Sequence, residues 1–185
     1  QGNYIKRLPA DTFRSQKRGG RGITGMATKE EDAVEDLFLT TTHHNIMFFT
    51  NRGRVYRLKG YEIPASGRTA KGVAIVNLLP LEANENITAV IPLKEFASNR
   101  YLFMTTRKGI VKKTELMDYD TARKGGLIAI SLDDDDELIA VKRTNGEKNI
   151  IIGTRGGMAI TFAETDVRPM GRSAHGVKGI SLNKG

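Results

Sequence analysis

Short apolar runs of about five residues alternate with polar, glycine-bearing turns through most of this chain. Residues 45–50 (Asn-Ile-Met-Phe-Phe-Thr) and 54–59 (Arg-Val-Tyr-Arg-Leu-Lys) flank Asn51-Arg52-Gly53, and residues 100–106 and 110–114 flank Arg107-Lys108-Gly109. Residues 149–153 and 158–162 flank Thr154-Arg155-Gly156-Gly157. Each pair reads as a tight hairpin whose glycine supplies a positive φ. Further strands are expected at 35–41 and 87–93, and the nearest approach to a helical period is at 30–38.

The hairpins are copies of one another. Thr50 to Val55, Thr106 to Val111 and Thr154 to Ala159 share a Thr, a basic residue, a Gly and then an apolar stretch, with the glycines 56 and 48 residues apart. Asn3 to Leu8 aligns with Gly53 to Leu58 at an offset of 50, which places a damaged first copy at the N-terminus. A second series, Gly22-Ile23, Gly72-Val73, Gly126-Leu127 and Gly176-Val177, repeats at offsets of 50, 54 and 50. Four strands with their turns occupy roughly 50 residues, the length of a propeller-type blade. The expected fold is all-β, a propeller-like array of four-stranded blades in units 1–52, 53–108, 109–156 and a partial 157–185. A blade cannot bury both faces alone, so neighbours must stack. These units are too few for an ordinary closed ring, so the array is an open arc or continues beyond Gly185.

Charge sharpens the picture. The 185 residues carry 29 Lys+Arg against 21 Asp+Glu, a formal net charge of +8, with no cysteine. Disulfide frameworks, thiol catalysis and Cys-based zinc sites are excluded, and a reducing, cytoplasmic location is expected. No apolar run approaches the roughly 18 residues of a membrane span. The chain opens on Gln1 with no apolar signal region, so it is expected to be a piece of a longer polypeptide.

The basic residues recur once per unit: Lys17, Arg18 and Arg21 in the first polar turn, Arg68 and Lys71 in the second, Arg123 and Lys124 in the third, Arg172 with Lys178 in the fourth. Equivalent turns of stacked blades share an edge, so they are expected to form a curved basic belt suited to a polyanion. The glycines beside them are expected to let backbone N–H groups approach phosphate. The acidic run at 133–136 lacks the spaced oxygens and turn glycine of a calcium loop and reads as a solvated loop. Gly20-Arg21-Gly22-Ile23-Thr24-Gly25 has the letters of a dinucleotide fingerprint without its strand and helix. His43 and His44, adjacent on a strand, would face opposite sides and could not share a metal. No catalytic constellation emerges, and the absence of interleaved exposed aromatics favours duplex over single-stranded nucleic acid. A basic rim for an acidic protein, or a metal enzyme at 133–136, are the competing classes.

Gln16-Lys17-Arg18-Gly19-Gly20-Arg21-Gly22 resembles the box Gln-Arg-Arg-Gly-Gly-Lys-Gly of the C-terminal domain of bacterial DNA gyrase A subunits, with two Arg/Lys exchanges. Residues 48–56, 72–81 and 104–109 are similar to that family too. The resemblance implies a β-pinwheel, a propeller-like array with strand exchange between blades, that wraps duplex DNA without sequence preference. It implies DNA contacts at residues 16–22, with Gln16, Lys17, Arg18, Gly19, Gly20, Arg21 and Gly22 forming the box. It further implies service to ATP-dependent negative supercoiling by an A2B2 holoenzyme, beside a breakage-reunion domain and the gyrase B subunit. This domain itself would carry no catalytic residue and no cofactor, ATP and Mg²⁺ being used elsewhere, and Tyr4, Tyr56, Tyr61, Tyr101 and Tyr119 match no nucleophile motif. The corresponding domain of topoisomerase IV, which has a degenerate or absent box, is the family alternative.

Overall fold

The computed structural model describes residues 4–10 and 40–182. The box, most of the strand expected at 35–41 and the helical candidate at 30–38 lie outside them. Strands β1 (Tyr4–Ile5), β2 (Asn45–Thr50), β3 (Arg54–Lys59), β4 (Val73–Ala74), β5 (Ile87–Leu93), β6 (Tyr101–Thr106), β7 (Ile110–Glu115), β8 (Leu127–Ile128), β9 (Leu138–Thr144), β10 (Asn149–Gly153), β11 (Ala159–Ala163) and β12 (Val177–Lys178) follow in order. Between them stand short 3-10 turns, Gly60–Glu62, Ile75–Asn77, Leu116–Tyr119 and Glu164–Asp166, and no α-helix among the described residues.

Hairpin formation is local, and the repeated Thr explains it. In each copy the glycine N–H donates to the Thr carbonyl, Gly53 to Thr50, Gly109 to Thr106 and Gly157 to Thr154, at 3.0, 3.0 and 3.1 Å. The Thr hydroxyl then accepts the N–H of the residue after the glycine, as from Ile110 to Thr106 at 3.2 Å and Met158 to Thr154 at 3.1 Å. The glycines have φ of 74°, 88° and 84°, which an L side chain rarely adopts.

The hairpins are completed from outside. Two four-stranded antiparallel sheets run β5-β2-β3-β8 and β9-β6-β7-β12. In both, the returning strand shifts register at the buried Thr, between Phe49 and Thr50 and between Thr105 and Thr106. The fourth strand is two residues long and comes from the following repeat. Val177 opposes Val111 as Leu127 opposes Val55 and as Val73 opposes Ile5. The offset of 50 between the damaged first copy and the second is therefore a structural register, and the array exchanges strands between repeats as a β-pinwheel does.

Sheets stack face to face, so central strands are buried on both sides. Met47, Phe49 and Val55 pack with Leu102, Met104, Leu138 and Val141 of the next sheet, while Ile46, Phe48, Tyr56 and Leu58 pack on Ile63, Ile75 and Leu79. Phe103 and Val111 meet the β10–β11 hairpin through Ile150, Ile152 and Phe162. A strand buried on both faces reads as a continuous apolar run, which is why residues 46–49 show no alternation.

Candidate nucleic-acid interface

Each described basic turn lies at a junction between consecutive repeats, along the outer edge of the preceding hairpin's second strand. Arg57 donates its backbone N–H to the Arg123 carbonyl at 3.1 Å, and Met170 donates to the Lys113 carbonyl at 2.7 Å. The first junction has the same geometry, with Arg7 N–H on the Pro64 carbonyl and Ser66 N–H on the Arg7 carbonyl, both at 3.2 Å. The chain then passes directly into the exchanged strand, so the turns are topologically equivalent.

Arg68, Arg123 and Lys124 are exposed on their turns, whereas Lys178, expected in the fourth turn, is exposed on the exchanged strand β12. Lys71 is half-buried, with its ammonium 4.0 Å from the centre of the Tyr4 ring. Arg172 is half-buried as well and donates from one guanidinium nitrogen to the Ile128 carbonyl at 2.6 Å. Gln16, Lys17, Arg18, Gly19, Gly20, Arg21 and Gly22 lie outside the described residues.

Gly72, Gly126 and Gly176 make their close approach within the protein, whereas Gly67, Gly125 and Gly171 have open space around them. Gly126 has φ +85°, and a Cβ there would stand 2.6 Å from Cε1 of Tyr56. A Cβ on Gly176 would meet the Val111 carbonyl at 2.5 Å, and one on Gly72 would meet that of Ile5. Close approach is made to the preceding strand of the protein, which allows the exchanged strand to dock.

Several cations that composition alone would leave to solvent are bound to backbone carbonyls. Arg7, Arg57 and Lys113 occupy one repeat position and donate to carbonyls of the following repeat: Arg7 Nε to Ile63, an Arg57 guanidinium nitrogen to Asp120, and Lys113 Nζ to Glu164, at 3.0, 2.8 and 3.0 Å. At the preceding position, Lys6 Nζ donates to the carbonyls of Gly67, Arg68 and Ala70, and Lys112 Nζ to those of Ala129 and Arg172. Lys112 is fully buried, and burial, reinforced by the nearby Arg172 charge and opposed by Asp118, lowers its pKa to about 7. Sequence reading missed this set because Lys112-Lys113 looks like solvated charge; their recurrence at the positions of Lys6-Arg7 was the available signal.

The acidic loop also differs from expectation. Asp136 is buried and accepts the backbone N–H groups of Lys108 at 3.0 Å and Glu137 at 2.8 Å, so the 133–136 run is anchored rather than wholly solvated. Asp135 pairs with Lys108, whose hydrogen bond and charge hold its carboxyl below the usual range, and His175 meets Asp133 at 3.1 Å. His43 and His44 stand in the turn before β2 rather than on a strand, with His44 Nδ1 3.1 Å from Thr40 Oγ1. Among the described residues no group of three or more His, Asp or Glu could hold a metal ion, and no helix is long and apolar enough to cross a membrane. Tyr56 and Tyr119 are buried, their hydroxyls donating to Glu85 Oε1 at 2.9 Å and the Ala129 carbonyl at 3.0 Å. Burial and the adjacent Glu85 push Tyr56 up to about 12.

Comparison with known proteins agrees with this architecture. The DNA gyrase A subunit of Halalkalibacterium halodurans is 62% identical over 178 residues, 96% of this chain and 21% of the relative. Its counterpart from Clostridium acetobutylicum is 60% identical over 95% of the chain and 21% of the relative. The chain thus spans about a fifth of the length of these curated relatives. Among solved structures, the C-terminal domain of DNA topoisomerase IV superposes with a TM-score of 0.79 at 34% identity, covering 86% of this chain and 50% of that one. A DNA gyrase A C-terminal domain superposes with a TM-score of 0.68 at 26% identity, covering 97% and 58%. The family described as DNA gyrase C-terminal domain, beta-propeller, matches residues 1–41, 44–94, 100–145 and 148–185, and with the exchanged-strand sheets and repeated junctions in place, this chain belongs to that family.

Proposed function

We propose that this chain binds and wraps duplex DNA without sequence preference, in the cytoplasm, as the C-terminal domain of a gyrase A subunit. In that setting it supports ATP-dependent negative supercoiling by an A2B2 holoenzyme, with cleavage and strand passage performed by the breakage-reunion domain and the gyrase B subunit. The observation that carries the reading is the return of exposed cations, Arg68, Arg123 with Lys124, and Lys178 on the exchanged strand, at successive junctions of a repeating scaffold. Wrapping needs distributed phosphate contacts, since smooth bending of a 20–30 bp segment by 40–90° costs on the order of 1–6 kcal/mol. Duplex affinity is expected to fall linearly with the logarithm of salt concentration, with a slope of about −0.9 per phosphate neutralised. Binding of unrelated duplexes of one length across a salt series checks this. A shallow slope, or strong discrimination among sequences, would remove the wrapping function.

A further inference from the structure

Lys6 and Lys112 occupy one position of the repeat. Each follows the residue, Ile5 or Val111, that opposes the first residue of an exchanged strand, Val73 or Val177. Each amino group reaches the arginine carbonyl of the following turn, and Lys112 also bonds the Ala129 carbonyl, which follows β8 and lies outside that turn. Lys6 Nζ takes the carbonyls of Gly67, Arg68 and Ala70 at 3.0, 2.5 and 2.7 Å. Lys112 Nζ takes those of Ala129, at 2.6 Å, and Arg172. Arg68 and Arg172 each stand four residues before the junction glycine, so the same turn carbonyl is held in both cases. At the middle junction Tyr56 replaces the lysine, its hydroxyl goes to Glu85, and Ala122 occupies the arginine position with its side chain buried.

A turn facing a polyanion must keep its own carbonyl oxygens away from phosphate, because they carry partial negative charge. An amine rooted in the preceding hairpin draws such an oxygen inward, while the Arg68 side chain stays exposed. Arg172 is held at two points, its carbonyl by Lys112 and a guanidinium nitrogen by the Ile128 carbonyl. We propose that Lys6 and Lys112 are positioning residues for duplex binding, each pinning the arginine carbonyl of a basic turn against the preceding hairpin so that Arg68 and Arg172 are presented to phosphate. This role rests on the proposed duplex-binding function.

The test uses the full-length polypeptide that contains this domain, with Lys112→Met and Arg172→Ala singly and together. Lys112→Met is expected to weaken duplex binding about three- to tenfold. It should add little in the Arg172→Ala background, since residues acting through one another are non-additive. Amide exchange should quicken at Ala174 and Ser131, whose N–H groups bond the Gly171 and Ala174 carbonyls, while β6 and β7 stay protected. Unchanged affinity, or an equal loss with and without Arg172, would overturn the proposal. Should Lys112→Met loosen β6 and β7 as well, the half-buried Lys6 decides it: Lys6→Met must weaken binding, and less so beside Arg68→Ala, or the proposal falls. If the parent protein binds no duplex at all, the duplex function itself is overturned, which is a distinguishable result because the local exchange change at Ala174 and Ser131 would remain.

Discussion

Lys112 shows how far a single ionisable group can depart from its surface behaviour when the repeat buries it. Its stem lies inside the stack, and the charges near it are Arg172, which disfavours the ammonium, and Asp118, which favours it, with the neutral Tyr119 hydroxyl sharing the Ala129 carbonyl. Its folded pKa of about 7 lies below the ordinary lysine value of 10.5. Between these values the unfolded chain binds more protons at residue 112 than the folded chain. The contribution of Lys112 to stability is therefore lowest below pH 7 and rises as pH climbs toward 10.5, by at most about 1.4 kcal/mol per pH unit. Denaturant midpoints measured from pH 6.5 to 9.5 should show this upward slope, and Lys112→Met should flatten it. Glu164 makes the opposite point, since it is fully buried yet well partnered: Thr144 Oγ1 and the Lys148 N–H donate to its carboxylate at 2.8 and 2.7 Å. Buried polar groups here join one repeat segment to another.

At the scale of the element, the exchanged strands depend on what they dock against. β8 has two residues and pairs with β3 through Leu127 opposite Val55 and Ile128 opposite Arg54. So short a strand has little cooperativity of its own, and its placement relies on the Tyr56 ring beneath Gly126 and on Ala129 N–H reaching the Gly53 carbonyl at 2.8 Å. Gly126→Ala should destabilise the domain by at least about 1–2 kcal/mol from the left-handed backbone alone, with the Tyr56 clash added. Its neighbour Gly125 has nothing within 4 Å of a Cβ, and Gly125→Ala should be close to neutral. Unfolding midpoints of the two variants, with amide exchange at β3, check the contrast. Equal destabilisation would mean that the close approach at Gly126 does not hold the strand.

For the whole molecule, the net charge of +8 overstates what is available to a partner, because Lys112 and Lys113 are buried and Arg7 and Arg57 are half-buried and bound to backbone carbonyls. The outward cations are distributed along the array, so their contributions to duplex binding should accumulate. Gln substitutions at Arg68 with Lys71, at Arg123 with Lys124, and at Arg172 with Lys178, made in one, two and three junctions, should lower affinity stepwise. The salt slope should become shallower by about 0.9 for each phosphate that is no longer neutralised. Near-complete loss from one pair would contradict distributed wrapping. The box has the densest cation cluster of any turn, and a wrapped path must be fixed at its end as well as along its length. In the complete enzyme, replacing Lys17, Arg18 and Arg21 by Ala is expected to abolish negative supercoiling while ATP-dependent relaxation persists. A topology assay that finds supercoiling unchanged, or strand passage abolished with it, would refute that role.

Local chemistry was legible from the residues alone. The hairpins expected at 45–59, 100–114 and 149–162 stand at 45–59, 101–115 and 149–163, and they, the positive-φ glycines between their strands and the offset of 50 all depend on contacts close in the chain or on repetition of one pattern. The basic turns were visible for the same reason, since charge recurring at a fixed period is a one-dimensional property. What joins repeat to repeat was not visible. The period at Gly72-Val73, Gly126-Leu127 and Gly176-Val177 was visible, but two residues such as Val73–Ala74 are too few to read as a strand, and the partner Tyr4–Ile5 lies nearly 70 residues earlier. The inward turn of Lys112 and Lys113, the burial of Asp136 and the use of Gly126 and Gly176 against the preceding strand are likewise decided by stacking. Burial converts a side chain that would be solvated on an isolated hairpin into one that must find a carbonyl, an amide or a ring, and which of these it finds depends on the repeat packed against it.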